Sequence, residues 1–259
     1  MIRYGNLRAM SWQERAIARH YNRARGFVDG TTEFHRLCEA AIPPGSRLLE
    51  IGSGPSNASS DFFATRGTLT GLDIDPAVRG NRALTQAEVF DGGRFPFADA
   101  TFDACVSNYV VEHVPNPPGH LDEVRRVLRP GGVYVLRTPN RFHYVALISA
   151  STPHWFHELV ANRVRGLPED AHAPYPTCYA MNTRSALRRL ATASGLELEV
   201  LKMVEKEPMY GLASRLTFYP FLAYERMVNA TERLGGLRAN IFAVLRKRPD
   251  QGSGAPGRP

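Results

Sequence analysis

The chain has 259 residues, 43% of them hydrophobic and 10% aromatic, enough to bury a substantial core as one large domain or two small ones. Its three cysteines, Cys38, Cys105 and Cys178, form no CxxC pair, which excludes a disulfide framework and a zinc ribbon and suits a reducing, cytoplasmic setting. The formal charge of +7 invites a polyanion, but lysine and arginine are spread along the chain and are dense only at "RRVLR", "RSALRR" and "RKR", solvated faces or a strand end, so nucleic acid is not expected as a partner.

The N-terminal stretch lacks the apolar core of a secretory signal, so none is expected, and no run approaches the roughly 18 apolar residues of a membrane span. From Ser11 to Ala41 the pattern is helical, with Gly30 as its expected stop, and "IPPGS" marks a turn. "RLLEI" then reads as a short buried strand, "SNASSDFFATR" as a helix, "TLTGLDI" as a second strand and "VRGNRALTQAEV" as a polar connection with helical character. "TFDACVSNY" reads as a strand, "GHLDEVRRVL" as a helix and "GVYVLRT" as a strand entered through the turn Arg129 to Gly132. This alternation argues for a doubly wound α/β sheet with helices on both faces.

After Pro139 the rhythm breaks. Residues 140–180 are aromatic, His-rich and Pro-interrupted and read as an irregular cap; "TRSALRRLATASG" resumes as a helix and "LELEVLKMV" as a strand. Residues 206–238 read as a second, largely helical insertion, "ANIFAVLRKR" as a final strand, and 249–259 as a disordered tail. The whole is expected to be one domain over 1–248.

The loop "LLEIGSGPSN" holds Gly52 and Gly54 but has Asn57 where a dinucleotide fingerprint puts its third glycine. Such a loop lets backbone approach a ligand, and the helix behind it favours negative charge. Glu50 argues against a pyrophosphate, which it would repel. A carboxylate there suits a ligand carrying an ammonium and a sulfonium, and S-adenosylmethionine is one. An acid at the end of the second strand accepts from ribose hydroxyls in nucleotide-binding folds. Asp73 stands 21 positions after Gly52, with Asp75 as its rival.

The ordered set "LLEIGSGPS", "GLDIDP", "FDGGRFPFADATFDACVSNYVVEHV" and "LRPGGVYVLRTPN", spanning about Arg47 to Asn140, resembles the class I S-adenosylmethionine-dependent methyltransferases, within the group of ubiquinone and menaquinone methyltransferases. The resemblance implies a Rossmann-like, mostly parallel seven-stranded sheet and S-adenosylmethionine as cofactor. It implies that Glu50 meets the methionine ammonium, that Gly52 and Gly54 pack against methionine and ribose, and that Asp73 holds the ribose hydroxyls. Asp91 would accept from the adenine amino group with the Gly92 amide beside it, and Asn108 would line the methionine by its backbone. Two positions depart from the pattern: Pro55, Ser56 and Asn57 replace the third small residue, and "GDA" becomes "FDG".

"NPPG", Asn116 to Gly119, is similar to a base-binding motif of some methyltransferases, but it stands beyond the strand end and lacks the stacking aromatic, so it reads as a helix-opening turn. His113 follows the fourth strand and is a candidate general base, with a helix-surface histidine as the alternative; Tyr109 and Glu112 are weaker pocket candidates. His143, His154, His157, His172 and Glu158 match no standard ligand spacing, and no metal is expected. Trp155, Phe156, Tyr210, Phe218, Phe221 and Tyr224 are expected to wall an apolar acceptor pocket beneath the two insertions, folded over the strand ends. Pro220 is expected to break the second insertion's amphipathic face, which weighs against peripheral membrane contact without removing it. The function these features imply is methyl transfer to a small, apolar or aromatic acceptor. A NAD-dependent dehydrogenase and a non-catalytic cofactor-binding scaffold are the alternatives.

Overall fold

A computed structural model describes residues 10–146 and 176–249. The chain divides into two compact units, one of Met1–Glu33, Phe142–Ala173 and Val204–Ala239, the other of Phe34–Arg141, Pro174–Met203 and Asn240–Pro259.

The second unit is built on a seven-stranded sheet: β1 Ser46–Ile51, β2 Gly67–Asp73, β3 Gln86–Val89, β4 Phe102–Asn108, β5 Leu128–Pro139, β6 Leu196–Val204 and β7 Asn240–Lys247, in the order β3-β2-β1-β4-β5-β7-β6. Strands β1 to β5 pair in parallel and β7 runs antiparallel to β5. The central strands carry near-continuous apolar runs because both faces are covered. Leu48, Leu49, Val106 and Val135 are fully buried, each such side chain contributing about 1.5–3 kcal/mol. From β1 the chain winds outward to β3 on one side and to β4 on the other, so the crevice of the sheet opens between the ends of β1 and β4.

The helices begin where side chains satisfy their first amides. Asn57 caps α3 (Ala58–Ala64), Asn116 caps α4 (Pro117–Val127), whose first residue is proline, and Thr183 caps α5 (Arg184–Ala193). The "NPPG" segment is thus a helix start.

In the first unit, α1 (Trp12–His20) opens with a capping box of Ser11 and Glu14, and α6 (Arg215–Asn229) with one of Ser214 and Thr217. Phe218 meets Trp12 and His20 with ring centroids at 6.2 and 6.0 Å, and Tyr21 donates to the buried Glu225 at 3.1 Å.

Four expectations are corrected. Gly30 opens helix α2 (Gly30–Ala41) instead of ending one, because Asp29 Oδ1 accepts from the Thr32 amide at 2.9 Å and caps the start. The connection after β2 contains a strand, β3, whose half-polar residues suit a sheet edge. Pro220 lies inside an unbroken α6, where it withdraws an amide from the carbonyl of Leu216, a residue on the helix's exposed face at 87% exposure. Phe218, assigned to a pocket wall, is interior, whereas Phe221 and Tyr224 are half-buried. Trp155 and Phe156 lie outside the described residues, as does the tail from 250. No helix among the described residues is long and apolar enough to cross a membrane.

Candidate active site

Glu50 is the fifth residue of β1, flanked in register by Gly71 on β2 and Val106 on β4, and it is 3% exposed. Burial pushes its carboxyl up to about 7, against the pull of a hydrogen bond donated by Ser60 Oγ to Oε2 at 2.7 Å.

Beyond β1 the chain must turn sharply beneath Val110. Gly52 has φ of +71°, and a Cβ there would stand 2.3 Å from Val110 Cγ2, so only glycine fits. Gly54, with φ of +55°, faces open space: a Cβ would meet nothing within 4 Å. The Gly54 amide donates to Asp73 Oδ2 at 2.8 Å and the Asp75 amide to Asp73 Oδ1 at 2.9 Å. Asp75 itself caps the short 3-10 helix Pro76–Gly80. Asn57 Oδ1 accepts from the Ser59 and Ser60 amides at 3.0 Å, while its Nδ2 donates to the carbonyls of Ser53 at 2.8 Å and Pro55 at 2.9 Å. The residue in the third-glycine place therefore ties loop to helix.

The remaining expected residues stand at the neighbouring strand ends. Phe90 donates its amide to the Asp73 carbonyl at 3.0 Å, which sets Asp91 next to β2; Asp91 is exposed and accepts from the Gly93 amide at 2.9 Å, across Gly92 at φ of +88°. Asn108 ends β4 and donates through Nδ2 to Ser59 Oγ at 3.1 Å. Its Oδ1 accepts from Arg137 Nε at 2.6 Å, and that buried guanidinium lies 5.0 Å from the Phe34 ring and 4.6 Å from the Tyr109 ring. Tyr109 is held at φ of +59°, a costly conformation for a residue with a side chain, and its hydroxyl donates to Asn240 at 2.9 Å.

His113 closes a 3-10 turn, Val111–His113, with Nδ1 at 3.0 Å from the Pro176 carbonyl oxygen. That oxygen only accepts, so Nδ1 carries the proton and Nε2 is the basic nitrogen. Buried Glu112 accepts from Thr138 Oγ1 at 2.9 Å, and Thr138 accepts from Asn182 Nδ2 at 2.6 Å. Burial raises the Glu112 carboxyl. Of the four histidines weighed as metal ligands, His143 alone lies among the described residues, with Nε2 at 3.3 Å from Glu205.

The structure thus draws Glu50, Gly52, Gly54, Asp73 and Asn108 together around the mouth of the crevice. Sequence reasoning missed Ser60, Asn81, Arg137, Thr138 and Asn182. Only the small-polar run "SNASS" after the glycines hinted at Ser60.

The methyltransferase domain family matches residues 49–136. An uncharacterized methyltransferase of Mycobacterium sp. (strain KMS) is 39% identical over 105 residues, 36% of this chain and 39% of that protein. A malonyl-(acyl-carrier protein) O-methyltransferase of Serratia marcescens is 30% identical over 135 residues, 48% of this chain and 53% of that protein. The chain spans about two fifths to one half of the length of these relatives. An S-adenosylmethionine-dependent methyltransferase from Mesorhizobium loti shares the fold, with a TM-score of 0.54 at 13% identity over 84% of this chain and 98% of that one. These matches do not single out the ubiquinone and menaquinone group. The glycine loop, Glu50 and Asp73 all fall inside the segment of this chain, residues 49–136, that is similar to the methyltransferase domain family.

Proposed function

We propose that the protein transfers a methyl group from S-adenosylmethionine to an oxygen, carbon or nitrogen of a small, apolar or aromatic acceptor. The observation that carries this reading is the pairing of a buried carboxylate, Glu50, with open space over Gly54 at the mouth of a sheet crevice. These residues fit the cofactor: Glu50 would meet its ammonium, Gly54 would admit its methionine and ribose, and Asp73, with lone pairs beyond the two it spends on backbone amides, would hold the ribose hydroxyls. Asp91 and Gly92 would take the adenine, and Asn108 would line the methionine. The same carboxylate at Glu50 disfavours the pyrophosphate of NAD.

When bound, the cofactor supplies a methyl group already activated on a sulfonium. The chain's own task is then alignment and exclusion of water, and a strong base is optional. Where the acceptor must lose a proton, His113 Nε2 is the group we assign to take it.

The test is a thermal-shift comparison of S-adenosylhomocysteine with NAD, followed by an acceptor screen with methyl-labelled cofactor. Stabilisation by S-adenosylhomocysteine and label transfer to an apolar acceptor are expected, since a ligand selective for the native state stabilises by mass action. Preference for NAD rejects the reading; binding with no transfer to any acceptor favours the scaffold alternative.

A further inference from the structure

Ser60 Oγ can donate one hydrogen bond and accept two. It donates to Glu50 Oε2 at 2.7 Å and accepts from Asn81 Nδ2 at 3.0 Å, while Asn57 Nδ2, whose two hydrogens are shared among the Ser53 and Pro55 carbonyls and this hydroxyl, also lies at 3.0 Å. With both amide nitrogens beside its lone pairs, the hydroxyl proton is left pointing at the carboxylate. Neither amide can be turned over. Asn57 Oδ1 faces the Ser59 and Ser60 amides and Asn81 Oδ1 faces the Ala83 amide at 3.1 Å, whereas both Nδ2 atoms face the carbonyl oxygens of Ser53 and Pro55. A flipped amide would set oxygen against oxygen.

We infer that Asn57 and Asn81 are positioning residues for the cationic end of the cofactor: acting through Ser60, they fix its hydroxyl proton on Glu50 and hold that carboxylate charged and turned toward the ligand. The inference rests on the S-adenosylmethionine reading above. Asn57 precedes α3 and Asn81 closes the 3-10 helix after β2, so the connections that follow β1 and β2 both converge on one carboxylate. Asn81 is 5% exposed and also lies 3.3 Å from the Gly54 carbonyl, so it braces the open part of the loop as well.

Burial and the charge of Asp73 on β2 push Glu50 up and Ser60 draws it down; the register partners Gly71 and Val106 carry no charge, and α3 meets it with Ser60. A ligand ammonium needs the ionised form, so affinity should rise with pH through the Glu50 titration and level off above it.

The experiment is calorimetric titration of the full chain with S-adenosylhomocysteine between about pH 5.5 and 8.5. The parent should bind about tenfold more tightly at pH 8 than at pH 6, as expected for a group titrating near neutrality. Asn81→Asp, equal in size, replaces a donor by an acceptor and draws the Ser60 proton away from Glu50. It should move the midpoint upward by about one pH unit and weaken binding at pH 7 about fivefold. Glu50→Gln should abolish the pH step, and Asn81→Asp in that background should no longer alter the pH dependence. Ser60→Ala, which adds no charge, should shift the midpoint in the same direction and serves if Asn81→Asp does not fold. An unmoved midpoint in folded variants, or an equal shift in the Glu50→Gln background, overturns the inference. A parent that binds S-adenosylhomocysteine at no pH overturns the cofactor reading on which it stands.

Discussion

The Gly54 amide donates to Asp73 Oδ2 at 2.8 Å, so the carboxylate we assign to the ribose also shapes the loop we propose receives the methionine. The Asp75 amide occupies the other oxygen at 2.9 Å. Asp73→Ala should then have two effects. Loss of charge-assisted bonds to the ribose should weaken S-adenosylhomocysteine by about 1.5–3 kcal/mol, and the two orphaned amides should lower folding stability by about 1–3 kcal/mol. Calorimetric binding and a urea melt read them separately. Undiminished affinity in the folded variant would move the ribose role to Asp75, whose replacement should otherwise leave binding near the parent's.

Gly52→Ala tests the turn beneath Val110. The added methyl would stand 2.3 Å from Val110 Cγ2 in a backbone conformation at φ of +71° that side chains resist. Left-handed strain of about 1–2 kcal/mol and overpacking of about 1–3 kcal/mol should add. Val110→Ala in that background should recover the packing part but not the strain. A single variant as stable as the parent would show that the loop adapts freely.

The strands were legible where burial leaves a run of apolar residues, as in "RLLEI" and "VYVL", and β3 was not, because none of Gln86, Ala87, Glu88 and Val89 is fully buried and an edge strand need not alternate. Gly30 misled for a local reason: glycine ends many helices, but Asp29 before it supplies a cap, and the cap decides. Pro220 misled because a proline's cost was weighed without knowing that Leu216 reaches solvent. Glu50 and the glycines adjoin one another, and Asp73 ends the strand that follows the loop's helix, so the strand-helix-strand unit fixes its place and these residues could be read. Asn81 to Ser60, Arg137 to Asn108 and Asn182 to Thr138 join residues 21, 29 and 44 positions apart that belong to no motif of fixed spacing, so their pairing left no trace in the sequence.

His120 should make the fold acid-sensitive. Its Nε2 lies 3.1 Å from the Tyr134 hydroxyl, which lies 2.6 Å from Ser107 Oγ, and burial pushes the imidazole down to about 4. The unfolded chain, titrating near 6.5, binds the proton first. Stability is therefore complete above that value and falls as pH drops from about 6.5 toward 4, by at most about 3 kcal/mol. Glu50, raised in the fold, acts oppositely, since ionising it between about 4.5 and 7 disfavours the folded state. Urea melts at about pH 7.5 and 5 should show that His120→Leu, though weakened by loss of the Tyr134 bond, loses less on acidification than the parent. Parallel losses would mean that the imidazole is protonated within the fold.

The role assigned to His113 turns on its tautomer. With the Nδ1 proton on the Pro176 carbonyl at 3.0 Å, the ring is oriented and Nε2 can accept a proton. His113→Ala should lower kcat by about 10²–10³ for an acceptor that must lose a proton, within the range for a positioned general base, while S-adenosylhomocysteine affinity stays within about twofold. For an acceptor that ionises unaided, the deficit should shrink as pH rises and vanish once the acceptor is anionic. His113→Asn separates orientation from basicity: its amide can donate to the Pro176 carbonyl but cannot take a proton, so it should restore the segment around Pro176 without restoring turnover. If His113→Asn matched the parent, the imidazole would serve to anchor Pro176, and alignment of cofactor and acceptor would by itself account for the chemistry.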